Sequence, residues 1–151
     1  MQLEYRKAAK NHADLLIDIY NSAFYNDYIR YGECPAYGRT RERMELSIAM
    51  FPKYIIICDG FPVGVISFEN KGNGYYYLGC LCIIPTYQGK GIGTLAFQHM
   101  LCVCSDWKKI TLVTPSDKDE NIKFYTEKCS FHIGEKEMDG SVQVLNFYKV
   151  R

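Results

Sequence analysis

Three glycines alternate with other residues in the segment Gln88-Gly89-Lys90-Gly91-Ile92-Gly93. The segment follows an apolar run that ends at Pro85, and it precedes residues with helical spacing, so it connects a predicted strand to a predicted helix. Glycine allows close approach to a ligand, and backbone N–H groups at a helix N-terminus attract negative charge. The segment therefore predicts a binding site for a phosphate or pyrophosphate group.

Two common nucleotide-binding motifs do not fit this segment. A P-loop requires Ser or Thr after its lysine, whereas Lys90 is followed by Gly91. A dinucleotide fingerprint places its third glycine three residues after the second, whereas Gly93 comes two residues after Gly91. Folds with these motifs also begin with the phosphate loop, but here several predicted strands come first. A simple glycine turn at the start of a helix remains an alternative.

The elements that must position this segment can be predicted from hydrophobic periodicity and turn residues. Strands are predicted at residues 3–7, 54–58, 63–68, 75–84, 110–114, 131–137 and 142–150, the run 75–84 being the longest. Helices are predicted at residues 12–25, 40–50, 94–104 and 119–129, with a tyrosine-rich loop at residues 27–40. These elements predict an α/β (α+β) fold with a mixed, mainly antiparallel sheet and one crossover.

Composition and charge restrict the partners of the protein. The chain has 151 residues, 48% of them hydrophobic and 23% charged, which predicts a single globular domain over residues 1–151. Its 18 lysines and arginines nearly balance its 17 aspartates and glutamates. We therefore expect neither a nucleic-acid partner nor a membrane partner, and no apolar run reaches the ~20 residues that a bilayer span needs.

The cysteines indicate the compartment. There are seven, an odd number, and five lie in apolar runs: Cys58, Cys80, Cys82, Cys102 and Cys104. This pattern predicts small buried thiols rather than disulfides, and the first residues lack the pattern of a signal peptide, so we expect a cytoplasmic protein. The spacing of Cys80 and Cys82 differs from that of paired zinc ligands, so no metal site is predicted.

The glycine segment matches the Q/R-x-x-G-x-G/A signature of the GCN5-related N-acetyltransferase (GNAT) superfamily. Two further segments agree with this resemblance. Asp59-Gly60-Phe61-Pro62-Val63-Gly64 looks like the second hairpin of the family, and residues 121–131 resemble its N-x-x-F-Y-x-K-x-G-F segment, with Ser130 in place of the glycine. The resemblance covers essentially the whole chain. It implies a sheet of six to seven strands, about four helices and a V-shaped split between the fourth and fifth strands.

The resemblance also implies that acetyl-CoA is the acetyl donor. The backbone of Leu81, Cys82 and Ile83 would bind the pantetheine and the acetyl oxygen. Asn121 is the preferred cofactor-facing residue, and Lys118 is the alternative at a second spacing found in the family. The pyrophosphate would be held by Gln88, Gly89, Lys90, Gly91, Ile92, Gly93 and Thr94.

The catalytic residues implied by the resemblance are a general acid and a base. Tyr125 occupies the general-acid position of the family, where a phenol would protonate the leaving thiolate. The fourth predicted strand contains no carboxylate, unlike that of relatives with a glutamate there. The nearest acid is Glu69, at the predicted end of the third strand, and a water relay is the alternative base. The non-catalytic alternatives are that Tyr125 only packs against its neighbours and that Glu69 is a solvated charge at the end of a hairpin.

The acceptor site is predicted in the tyrosine-rich loop. Tyr28, Tyr31 and Tyr37, together with Tyr25, could form an aromatic wall that suits a cationic or planar acceptor. The resemblance implies a cytoplasmic N-acetyltransferase in which a primary amine, on a small molecule or a peptide, attacks acetyl-CoA directly; a homodimer is compatible with it. The alternatives are an acyl-CoA-binding module of the same fold without catalysis, and a scaffold that binds a protein partner.

Overall fold

The computed structural model describes residues 1–151 and contains seven strands and four α-helices. The strands are β1 (Leu3–Lys7), β2 (Lys53–Cys58), β3 (Phe61–Gly72), β4 (Tyr75–Ile83), β5 (Lys109–Pro115), β6 (His132–Asp139) and β7 (Val142–Val150). The helices are α1 (Ala13–Tyr31), α2 (Arg41–Met50), α3 (Ile92–Val103) and α4 (Asp119–Lys123). None of the helices is both long enough and apolar enough to cross a membrane.

The strands form one sheet in the order β1-β2-β3-β4-β5-β7-β6. The pairs β1–β2, β2–β3, β5–β7 and β6–β7 are antiparallel, whereas β4 and β5 are parallel. The parallel pairing joins Tyr75, Tyr76 and Tyr77 of β4 to residues 109–111 of β5 and extends no further. The mixed sheet and the split between the fourth and fifth strands are thereby confirmed.

The chain divides into two compact units. The first contains Met1–Phe68 and Gly79–Ala96, and the second contains Glu69–Leu78 and Phe97–Arg151. The expectation of a single domain over residues 1–151 stays a prediction.

The core of the first unit lies between helices α1 and α2 and strands β2, β3 and β4. Leu16, Ile19 and Tyr20 share one face of α1 because residues three and four apart are neighbours on a helix. Ile55 and Ile57 alternate along β2 and meet this face, as period-two side chains of a half-buried strand do. The apolar side chains of α1 and β2 therefore form one continuous apolar layer.

Gly64 permits β3 to lie unusually close to β4. A Cβ on Gly64 would be 2.3 Å from the carbonyl oxygen of Cys82 and 2.8 Å from Cδ1 of Ile83. Nearby, the backbone N–H of Ile84 donates to the carbonyl of Val63 at 2.8 Å. Any larger residue at position 64 would displace the end of β4, which leads into the glycine segment.

Helix α1 is longer than the periodicity over residues 12–25 predicts. It continues to Tyr31, so the first part of the predicted loop at residues 27–40 is helical. No proline or glycine occurs before Gly32, whose φ of +74° ends the helix in the left-handed conformation. Tyr28 and Tyr31 therefore lie on a helix rather than in a loop.

Strand β3 also extends beyond the prediction. It reaches Gly72, four residues past the predicted end at Phe68, and with 12 residues it is longer than the nine-residue β4. Its last residues are largely exposed and polar, so they lack the apolar pattern that marks a buried strand. Glu69 consequently lies inside β3, not at its end.

The predicted helix over residues 119–129 has two parts. Helix α4 ends at Lys123, and a π-helical turn follows at Phe124–Lys128. Ser130, where the family has glycine, adopts a φ of +60°, so this serine takes the left-handed conformation. The other helices and strands begin and end within two residues of their predicted bounds, α3 starting at Ile92 instead of Thr94.

The cysteines are less uniformly buried than predicted. Of the five in apolar runs, Cys58 and Cys82 are buried, Cys80 and Cys104 are half-buried, and Cys102 is exposed. Cys102 lies on the solvent-facing side of α3, so not every apolar residue of this helix is buried in the core.

Candidate active site

The glycine segment forms a turn between β4 and α3. Gly89 and Gly91 have φ values of +76° and +81°, a backbone conformation that other residues rarely adopt. A Cβ at either position would meet no atom within 4 Å, so the space beside the turn is open. The first helical hydrogen bond runs from the N–H of Leu95 to the carbonyl of Gly91 at 3.1 Å.

The turn is anchored at both ends. The Gln88 side-chain amide donates to the carbonyl of Ile83, the last residue of β4, at 2.8 Å. At the other end, Ile92 is buried under the first turn of α3. The intervening residues, including Lys90, are exposed, and the first turn of α3 has no acidic residue. An anion at this helix N-terminus would meet partial positive charge and no carboxylate.

The end of β4 presents two different faces. Cys80, Cys82 and Ile84 pack with the core below α1 and α2. Since side chains alternate along a strand, Leu81 and Ile83 point to the opposite face. The backbone predicted to bind the pantetheine therefore belongs to a strand whose one face is held firmly by the core.

The predicted acceptor tyrosines contact one another around Tyr37, and their role as an acceptor wall stays a prediction. The rings of Tyr28 and Tyr37 are stacked, with centroids 4.6 Å apart and planes at 13°. Tyr25 lies against Tyr37 at 6.1 Å. Tyr31 lies beneath the guanidinium of Arg30, whose Cζ is 5.1 Å from the centroid of the Tyr31 ring.

In the second unit, the two candidate cofactor residues lie at the start of α4. Lys118 is the residue that precedes the helix, and its carbonyl accepts from the N–H of Asn121 at 3.1 Å. Both side chains are half-buried. The preference for Asn121 over Lys118 stays a prediction.

Tyr125 lies one turn after Asn121, in the π-helical turn. The residue is 8% exposed, and its ring packs edge-on against Phe131 and at a tilt against Phe147, with centroids 5.8 Å and 6.0 Å away. Its carbonyl accepts from the N–H of Phe131 at 2.9 Å, which closes a loop wider than an α-helical turn. The π-helical turn at Phe124–Lys128 is of a kind that recurs at functional sites.

Glu69 forms an ion pair within the second unit. Its Oε1 accepts from Nζ of Lys71 at 2.9 Å, and about a third of its side chain is exposed. The same ammonium lies 5.9 Å from the ring centroid of Tyr77 on β4. Burial raises the pKa of Tyr77, and the negative charges of Asp139, Glu69 and Glu137 raise it further. Glu69 is thus near a neutral phenol on the strand that lacks a carboxylate.

Three residues of the first unit form a cluster that sequence reasoning did not identify. The guanidinium carbon of Arg39 lies 5.4 Å, and the ammonium of Lys53 lies 5.9 Å, from the ring centroid of Tyr20. These residues are far apart in the chain, so no motif or spacing indicates their contact.

The sheet order, the parallel split and the glycine turn before α3 together define an acetyltransferase fold. An acetyltransferase from Thermus thermophilus superposes with a TM-score of 0.82 at 14% identity, covering 100% of this chain and 98% of that one. The PaiA N-acetyltransferase of Thermoplasma acidophilum, solved in complex with coenzyme A, gives a TM-score of 0.71 at 17% identity, covering 97% and 98%.

The family follows from the sequence itself. The model of the Acetyltransferase (GNAT) family matches residues 14–131, and the chain belongs to this family. An uncharacterized protein of Bacillus subtilis, YrkN, is 34% identical over 84 residues, which are 54% of this chain and 45% of YrkN. The matched segment thus spans less than half of that curated relative.

Proposed function

We propose that the protein is an acetyl-CoA-dependent N-acetyltransferase in which a primary amine attacks the thioester directly. The observation that carries the proposal is the open, left-handed glycine turn at the N-terminus of α3, in a chain that belongs to the Acetyltransferase (GNAT) family. Coenzyme A in the complex of the Thermoplasma neighbour supports the choice of cofactor.

The glycine segment and the end of β4 would bind the cofactor. Backbone N–H groups of the segment from Gln88 to Thr94 would bind the pyrophosphate, with Lys90 free to add charge from the surface. The backbone of Leu81, Cys82 and Ile83 would bind the pantetheine. An N–H of this strand that donates to the thioester oxygen would stabilise the developing oxyanion by about 3 kcal/mol.

Tyr125 and a base would carry out the proton transfers. A thiol leaves as a thiolate with a conjugate pKa of ~8.5, and a phenol, with an ordinary pKa of ~10, can donate a proton to it. Tyr125 would be this donor. The acceptor ammonium, with a pKa of ~10.4, must lose a proton before it can attack. Glu69 or a chain of waters would remove it. The acceptor is a small-molecule or peptide amine.

Acetyl-CoA is expected to stabilise the protein against heat and to release its thiol only when a suitable amine is present. Saturation at 100 times Kd corresponds to about 2.7 kcal/mol of stabilisation. Differential scanning fluorimetry measures the first effect, and a thiol-release screen over amines and peptides with free N-termini measures the second.

Two outcomes would contradict the proposed enzymatic activity. Stabilisation by acetyl-CoA without thiol release for any amine would support the acyl-CoA-binding module, which the absence of a carboxylate on Tyr75–Ile83 favours. No stabilisation at all would support the partner-binding scaffold.

Glu69→Gln is expected to reduce kcat at neutral pH, with the loss shrinking as pH rises toward the pKa of the acceptor. The reason is that more amine arrives deprotonated at high pH, so the base matters less. The measurement is the pH–rate profile of thiol release. Glu42→Gln, an exposed acid of α2, is the matched control. A Glu69→Gln profile that overlays the wild type would assign proton removal to water.

A further inference from the structure

We propose that Arg39, Lys53 and the Tyr20 hydroxyl form a binding site for a carboxylate group, and that the amine acceptor is a small molecule that carries one, such as an amino acid. All three residues belong to the first unit. The assignment of the acceptor rests on the proposed function, whereas the carboxylate site itself does not.

Lys53 is a buried cation at the start of β2. The residue is 5% exposed, and its ammonium lies 5.9 Å from the ring centroid of Tyr20. No carboxylate of the chain lies within ion-pair distance of the ammonium, and no acceptor of the chain forms a hydrogen bond with it. Burial lowers the pKa of Lys53 the most, and the charge of Arg39 also lowers it. Because lysines are almost never fully buried unless paired, an anion from outside the chain would satisfy this group.

Arg39 places a second cation beside the same ring. Its Cζ lies 5.4 Å from the Tyr20 centroid. Nε donates to the carbonyl of Pro35 at 3.0 Å, and Nη1 donates to the Ser47 hydroxyl at 3.2 Å. These neutral acceptors hold the guanidinium in place and leave its other N–H groups without an acceptor in the chain. A carboxylate matches the planar fork of a guanidinium with two parallel hydrogen bonds.

The hydroxyl of Tyr20 adds an uncharged donor. It is completely buried and has no partner that meets hydrogen-bond geometry. Burial raises the pKa of this phenol well above its ordinary value, so the hydroxyl keeps its proton and can donate. A buried hydroxyl without a partner costs free energy, and a ligand oxygen would remove that cost. Two cations and this donor therefore surround one ring with no acid of the chain between them.

The segment from Tyr37 to Arg39 connects this site to the predicted aromatic wall. The Tyr37 ring stacks on the Tyr28 ring, whereas the Arg39 guanidinium lies beside Tyr20. Between them, the N–H of Gly38 donates to Oδ1 of Asn21 at 2.9 Å, which ties the segment to α1. A ligand whose carboxylate contacts Arg39 would therefore bind next to the tyrosines predicted to contact the acceptor.

The site also adjoins the end of β4. Tyr20 and Cys82 belong to one buried apolar cluster, and Ile84 packs against it. Under the proposed function, the thioester would lie along the backbone of residues 81–83. The carboxylate site and the proposed thioester site thus border the same cluster, as binding of a carboxylate-bearing amine requires.

The test compares the standard L-amino acids with their carboxamides, each offered to the native protein with and without acetyl-CoA. Calorimetry and differential scanning fluorimetry measure binding, and thiol release measures turnover. At least one free acid is expected to bind, and its carboxamide should bind about tenfold more weakly or worse, because hydrogen bonds to a charged group are stronger than those to a neutral one.

Lys53→Met is expected to weaken binding of that free acid about tenfold or more and to leave binding of the carboxamide unchanged. Without ligand, this variant should not lower the melting temperature, because it removes an unpaired buried charge; a merely structural lysine would lower it. Arg39→Gln tests the same point if Lys53→Met does not fold. Lys7→Met, at an exposed lysine of β1, is the matched control and should bind like the wild type.

The outcomes distinguish failure of this proposal from failure of the proposed function. An amino acid that binds through Lys53 and Arg39, together with no thiol release for any amine, would support the carboxylate site but contradict the acceptor assignment and the proposed enzyme. Equal thiol release with a free acid and with its carboxamide, unaffected by Lys53→Met, would support the enzyme and overturn this proposal. Absence of binding for every free amino acid would also overturn it.

Discussion

Tyr125→Phe is expected to lower kcat about 100-fold while the affinity for acetyl-CoA stays nearly unchanged. General acids typically contribute 10² to 10⁴ in rate, and the hydroxyl would act only when the thiolate departs. The packing of the ring against Phe131 and Phe147 uses the ring faces and edges, which Phe retains. The measurement is thiol release under saturating amine, with cofactor affinity from calorimetry.

The control for this substitution is another tyrosine of the second unit. Tyr75→Phe removes a hydroxyl from an exposed ring on β4 and is expected to leave kcat unchanged. If Tyr125→Phe keeps full turnover in single-turnover experiments, where chemistry limits the rate, then Tyr125 serves packing alone. Solvent would then protonate the thiolate.

Gly91→Val is expected to abolish the thermal stabilisation by acetyl-CoA. Gly91 has a φ of +81°, a backbone conformation that is strongly unfavourable for a β-branched residue. A side chain there would also occupy the open space beside the turn. Both effects prevent backbone N–H groups from surrounding a pyrophosphate. Differential scanning fluorimetry with increasing acetyl-CoA measures the loss.

Gly60→Val separates backbone strain from loss of the anion site. Gly60 has a φ of +85° and also has no atom within 4 Å of an added Cβ, but it lies in the turn between β2 and β3. This variant should be destabilised yet still respond to acetyl-CoA. A folded Gly91→Val protein with wild-type cofactor affinity would refute the pyrophosphate assignment.

Local patterns determined most of the element order and the family. The glycine turn, its preceding strand and its following helix are consecutive in the chain, so residue types and spacing were enough to predict them. The predicted ends of helices and strands were less accurate where the side chains become exposed. The exposed end of β3 has no apolar period, and α1 passes through polar residues until Gly32 provides a left-handed exit.

The sequence by itself determined which chemistry-bearing residues the protein has and which elements carry them, because helix and strand periods depend on near neighbours. Only the tertiary structure decided which distant residues meet. Tyr20, Arg39 and Lys53 come from a helix, a loop and a strand, and their contact depends on how α1 packs on the sheet. The position of two cations on the Tyr20 ring is a property of that packing, since no interval along the chain encodes it.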